Sequence, residues 1–278
     1  MKNYVLRKPF FLTVSLISIF ATFFRFILIK TNIDASTGFY LNTSSFSRIM
    51  LITLLVLALL LGIAVLILYS KLPLLKERQS FSFEKFFDSR ILFIALTVCF
   101  MFNTGFEIFR LINPPDDLVI SNNMSFFGVV TLFLSIVCAV IFALLAFLPQ
   151  NRHIASSGLL LAVVIFTAFR LMRDFTSYST ISFVSEHLLN IVYLCALLIS
   201  FFSLCRCFSL CENKKGRRSV LVFAPITIVL GFTLSVSNIF GFILGFDSVS
   251  LSDLFRHLID LPLAVFILKA SMHLVKEN

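Results

Sequence analysis

Residues 124–148 read MSFFGVVTLFLSIVCAVIFALLAFL, and no charged side chain interrupts them. About twenty apolar residues in a row let a helix cross the hydrocarbon of a bilayer. The helix satisfies its own backbone polar groups, as lipid requires of any single spanning segment. Residues 124–148 are therefore expected to be a membrane helix. The rest of the chain follows the same pattern. Of its 278 residues, 59% are hydrophobic and 13% charged, with 36 Phe and no Trp. Soluble domains carry roughly a quarter charged residues. This composition excludes a soluble enzyme, a disordered chain and a disulfide-built secreted module.

Seven further stretches have spanning length: 9–30, 47–70, 91–112, 158–173, 183–206, 219–245 and 253–272. The run at 158–173 is the shortest and ends among Arg170, Met172, Arg173 and Asp174. If it failed to cross, everything behind it would invert. Lys2, Arg7 and Lys8 ahead of an apolar run have the order of a signal peptide. The run is too long for that, and no small-x-small cleavage site closes it, so it reads as a first membrane helix. With the N-terminus inside, 16 basic and five acidic residues fall on the inner side, and seven basic and nine acidic on the outer. Every inner loop obeys the positive-inside rule. The net charge of +9 is thus explained by the loops, and no basic stretch interleaved with aromatics suggests nucleic acid. The expected fold is an all-α polytopic membrane bundle of eight transmembrane helices, one transmembrane domain over 1–278 with both termini cytoplasmic. Short loops leave no room for a soluble domain and suggest the plasma membrane.

The eight stretches group into hairpins at 9–70, 91–148, 158–206 and 219–272. Phe-Arg recurs near the outer end of three odd-numbered helices, at Arg25, Arg110 and Arg170, and Asn238 stands at the comparable place in the seventh. A parallel fourfold hairpin repeat is the reading this suggests.

Lipid-facing positions should be apolar, so polar residues at helical spacing mark interior faces. Such stripes are Ser15, Ser18, Thr22 and Arg25; Cys99, Asn103, Glu107 and Arg110; Gly128, Thr131, Ser135 and Cys138; Thr167, Arg170 and Asp174; Glu186, Asn190 and Tyr193; and Asp253, Arg256, His257 and Asp260. Arg25, Arg48, Arg110, Arg170, Arg173 and Arg256 cluster in the outer third, where the topology rule disfavours them. One account is ion pairing, Glu107 with Arg110 and Arg256 with Asp260, together with snorkelling of Arg25 and Arg48. The other is a water-accessible outer cavity whose guanidinium groups grip an anion bidentately.

Nucleotide-binding, zinc-protease and serine-hydrolase motifs are absent. No cofactor and no metal site is expected; Cys205, Cys207 and Cys211 lack paired Cys-x-x-Cys spacing and read as packing thiols. His187 beside Glu186, and His257 between Asp253 and Asp260, would make an acid–base pair if their helices adjoined. Ser237-x-x-x-Gly241-x-x-x-Gly245 allows close helix approach, within the bundle or between two copies. Sequons at Asn42 and Asn123 fall in outer loops, and Pro225 and Pro262 fall within helices.

The leading expectation is a transporter or binding protein for a small anion or an anionic lipid headgroup from the outer side. Arg25, Arg110, Arg170, Arg173 and Arg256 would hold the anion. Asn103, Glu107, Glu186, His187, Asn190, Tyr193, His257 and Asp260 would support them. Beyond the lipid bilayer, a membrane protein partner or a second copy meeting through Gly241 and Gly245 is the other partner expected. The alternatives are an accessory or regulatory membrane subunit without a ligand, and an intramembrane enzyme acting on a phosphate-bearing lipid.

Overall fold

The computed structural model describes residues 2–32, scattered positions between 49 and 67, and residues 90–112, 122–147, 156–178, 185–208, 213–246, 249 and 251–276. Seven helices have defined bounds: α1 (Lys2–Asn32), α2 (Arg90–Ile112), α3 (Asn122–Phe147), α4 (Ser156–Tyr178), α5 (Ser185–Phe208), α6 (Asn213–Ile243) and α7 (Leu251–Lys276). No strand occurs among the described residues. Each helix lies on one of the expected stretches. The expected span at 47–70 falls mostly outside the described residues; positions such as Ile52, Thr53, Leu59 and Leu60 within it are helical. Asn42 and Arg48 lie outside them too. Asn123 belongs to the first turn of α3 rather than to a loop. Pro225 and Pro262 lie inside α6 and α7 as expected.

Among the described residues five helices contain segments long and apolar enough to cross a membrane: Thr13–Lys30, Arg90–Ile112, Phe126–Phe147, Leu188–Phe208 and Ser219–Ile243. The chain is a membrane-embedded helical protein. Its surface agrees: on α2 alone Ile91, Ile94, Val98, Met101, Phe102 and Phe109 are exposed, an apolar face that water would not tolerate. The helices α4 and α7 stand apart because charge interrupts them, at Arg170, Arg173 and Asp174 in one and at Asp253, Arg256, Asp260 and Lys269 in the other.

The described residues fall into two compact units, residues 81–211 and residues 1–80 with 212–278. In the first, α2 packs on α3, α3 on α4 and α4 on α5. The α2–α3 pair is antiparallel. Asn103 and Thr104 meet Ser135, while seven positions further along α3 Phe142 stacks on Phe100 and Phe93. Long side chains also join α2 to α4, Phe100 edge-on to Phe166 and Glu107 to Arg173. Both pairs are 66 residues apart, so α2 and α4 run parallel.

In the second unit α1 packs on α6, α6 on α7, and α1 touches α7. The buried line on α1 is Val14, Ser18, Ala21, Arg25 and Leu28. Ser15, expected on that stripe, is exposed and Thr22 is half-buried. Hydroxyls tolerate such positions by bonding back to their own helix, as Thr22 does to the Ser18 carbonyl at 2.7 Å. Arg25 meets Ser237, and Ile29 stands beside Gly241, where an added Cβ would lie 3.9 Å from its Cγ2. The two residue numbers rise together, so α1 and α6 are parallel.

The end of α6 is set by two glycines. Gly245 has φ +71°, a left-handed conformation that costs other residues steric strain. The Phe246 N–H donates to the Gly241 carbonyl at 2.9 Å and the Gly245 N–H to that of Phe242 at 3.0 Å, which is the Schellman arrangement. Phe246 then folds over Gly241 and reaches Phe26 of α1, with ring centroids 5.3 Å apart. Gly241 and Gly245 thus serve the chain's own packing: one receives the turn, and the other makes it.

Candidate functional site

The polar stripes of α2, α3, α4 and α5 converge inside the unit formed by residues 81–211. On α3 all four expected positions, Gly128, Thr131, Ser135 and Cys138, are buried, as are Thr167, Arg170 and Asp174 on α4. Their neighbours on the opposite faces are Phe, Ile, Val and Leu, so lipid solvation drives the polar edges together. One layer consists of neutral groups. Asn103 donates to Ser135 Oγ at 3.2 Å, Thr104 does the same, and the Ser135 hydroxyl reaches the Phe100 carbonyl at 3.2 Å.

One turn further along α2 the layer is charged. Arg173 Nη1 lies 2.7 Å from Glu107 Oε1 and also donates to Thr131 Oγ1 at 3.2 Å. The side chains are only 13% and 10% exposed. Glu107 therefore pairs across helices with Arg173, not with Arg110 in its own helix. Sequence reasoning favoured the latter because i, i+3 neighbours are the only pairs visible without tertiary information.

The arginine is incompletely used. A guanidinium carries five N–H donors in a rigid fork. Nη1 serves Glu107 and Thr131, but among the described residues Nε and Nη2 meet no acceptor. That edge is the one whose two parallel N–H groups match a carboxylate or phosphate. On another face of α4, Asp174, 1% exposed, accepts from Asn190 Nδ2 at 2.8 Å. The donation to a carboxylate fixes the amide's orientation and leaves Asn190 Oδ1 buried without a partner.

In the other unit Arg25, 3% exposed, donates from Nε to Ser237 Oγ at 2.9 Å, and the Ser237 hydroxyl passes the chain on to the Thr233 carbonyl. His257 Nδ1 and Asp260 Oδ2 are 3.2 Å apart in the interior of α7. Thr233 Oγ1 and Ser235 Oγ are buried without partners.

The expected site residues are therefore divided between the units. Asn103, Glu107, Arg110, Arg170, Arg173, Asn190 and Tyr193 belong to the first, and Arg25, Arg256, His257 and Asp260 to the second. Asn103, Glu107, Arg170, Asn190, Tyr193, Arg25, His257 and Asp260 are buried, while Arg110, Arg173 and Arg256 are half-buried. The side chains of Glu186, His187 and Asp253 lie outside the described ones, as does Cys211. Thr104 and Ser237 take part in the polar contacts although neither was singled out as a site residue. The i, i+4 relation of Arg170 to Asp174 was the available signal for the latter's role. Comparison with known protein families, curated proteins and solved structures gave no match.

Proposed function

We propose that this chain is an eight-span plasma-membrane protein that binds a small oxyanion, free or as a lipid headgroup, from the outer side, as the binding step of transport. The observation that carries the reading is the open Nε–Nη2 edge of Arg173 in a largely water-excluded helix core. An arginine at membrane depth costs roughly 2.5–3.5 kcal/mol on insertion scales. One carboxylate contact through one nitrogen offsets that cost only partly, and a bidentate oxyanion would use the rest of the fork. Arg110 and Arg170 stand one turn from Glu107 and Arg173 on the same helices and would add positive potential. Arg25 and Arg256 belong to the other unit.

The eight-span count draws support from helix direction. Between two parallel spans there must be an odd number of crossings. Four helices, α2 to α5, lie between α1 and α6 in sequence. If all four cross, the apolar stretch at 47–70 supplies the fifth. The fourfold hairpin repeat and the cytoplasmic termini belong to the same proposal.

The test is thermal unfolding of purified, delipidated protein in detergent with sulfate, phosphate, acetate or phosphatidylglycerol added. A ligand at a hundred times its Kd stabilises by about 2.7 kcal/mol, a readable shift. Stabilisation by at least one anion, lost in Arg173→Gln, is expected. A response to phosphatidylglycerol but not to sulfate or phosphate would identify a lipid headgroup, and the reverse a free solute. If none of the four stabilises the wild type, the reading fails.

A further inference from the structure

We propose that anion binding at Arg173 draws one proton onto Glu107, so that the anion and the proton occupy the protein together. The inference rests on the anion-binding reading and adds its coupling. Glu107 Oε1 accepts from Arg173 Nη1 at 2.7 Å, and the same guanidinium offers its remaining edge to the ligand. An oxyanion seated on Nε and Nη2 would stand across one guanidinium from an ionised carboxylate. The Arg173 guanidinium would then stand between two negative groups where water is scarce. Like charges sharing a site do not both persist; one of them takes a proton, as paired carboxylates do.

The surroundings decide which group that is. The charged residues on the elements around Glu107 are Arg173, Arg170 and Asp174 of α4 and, on its own helix, Arg110 and the distant Arg90 at the opposite end, while α3 contributes Thr131 and carries no acidic or basic residue. The arginines hold their protons throughout the physiological range. Asp174 is engaged by Asn190. Glu107 has its second oxygen, Oε2, outside the Arg173 contact. A proton from the outer aqueous phase adds there, giving a neutral acid that still accepts from Nη1 through Oε1. The proton offsets one unit of the charge the anion brings: a monoanion enters with no net change, and a dianion such as sulfate with a change of one unit instead of two. Proton uptake thus lowers the net charge buried on loading, which a membrane interior favours.

Sulfate is the probe, because it does not titrate near neutral pH. Calorimetric titration of the wild type in two buffers of different ionisation enthalpy counts protons taken up per sulfate. One is expected, with the Kd weakening tenfold for each unit of rising pH while Glu107 is ionised in the free state and protonated in the bound one. Glu107→Gln should bind sulfate with no proton uptake and no pH dependence. Asp174→Asn should keep the uptake, which separates the two acids. Sulfate binding to the wild type without proton uptake overturns the coupling and leaves the anion site standing. Uptake that survives in Glu107→Gln and vanishes in Asp174→Asn overturns the assignment. Absence of binding by sulfate and by the other anions removes both proposals. The two-buffer measurement on the wild type keeps the question decidable if Glu107→Gln does not fold.

Discussion

Asn190 and Thr233 pose opposite cases of a buried polar group, and each predicts its own substitution. Asn190 donates to Asp174 at 2.8 Å. A hydrogen bond to a charged group is worth roughly 1.5–3 kcal/mol in soluble proteins, and membrane double-mutant cycles average nearer ~0.6 kcal/mol. Asn190→Leu removes that donor and also the unpartnered Oδ1, so a net loss of about 1 kcal/mol is expected, read as a lower unfolding temperature in detergent. Thr233 Oγ1 has no partner. Thr233→Val keeps the shape and deletes the orphan hydroxyl, so stability should hold or rise. Equal damage from both would show that the hydroxyl is in use. At this scale the sequence was partly legible. Residue type and helical spacing located Asn190, Asp174 and Glu107 on interior faces. They could not locate Ser15, because a hydroxyl can satisfy itself on its own helix and so carries no information about which way it faces. Nor could they pair Glu107 with Arg173, because that contact joins positions 66 apart.

Among the elements, the end of α6 separates steric from conformational roles of glycine. A Cβ on Gly241 would stand 3.0 Å from Val249 Cγ2 and 3.4 Å from Phe246 Cδ2. Gly241→Ala must therefore push the turn away from α6, with a cost of about 1–3 kcal/mol as in other overpacked sites. Gly245→Ala meets nothing within 4 Å but retains φ +71°, and should cost about 1 kcal/mol. Gly105, on an exposed part of α2 with open space around it, should accept alanine without loss. Unfolding temperatures of the three variants test the order 241, then 245, then 105. A neutral Gly241→Ala would mean that the Phe246–Phe26 contact is not made as described. The spacing of Ser237, Gly241 and Gly245 was legible as a place of close approach. What approaches was not: Gly241 receives its own turn, and Ser237 receives an arginine from α1, both fixed by chain reversal that no local pattern encodes. Hydropathy found every described helix because lipid demands long apolar runs, and the charges within α4 and α7 are what interrupt the apolar runs of those two.

For the whole molecule, the parallel register of α1 and α6 turns a local contact into a statement about every loop. The N-terminal ends of both helices must face the same side, so residue 214 shares a side with residue 2. Five stretches separate the two helices, 47–70 and α2 to α5. Removing one crossing from an odd set breaks the register, so 47–70 and α4 either both cross or both do not. The charge-rich end of α4 makes it the one in question, and the loop charges favour crossing, since Arg152 and the cluster at 214–218 then both lie inside. Reporters active on only one side of the membrane, fused after residues 80, 118, 152, 181 and 214, should read inside, outside, inside, outside, inside. If the fusions after 152 and 181 read the same side while that after 80 stays inside, α4 does not cross and residue 214 moves outside. The contact of Arg25 with Ser237 would then join helices of opposite direction, against the register that Ile29 and Gly241 share. In that case Arg173 no longer reaches Glu107 at the outer end of α2, and the site at which an anion and a proton would arrive is lost. The five fusions therefore test the helix packing and the direction of binding together.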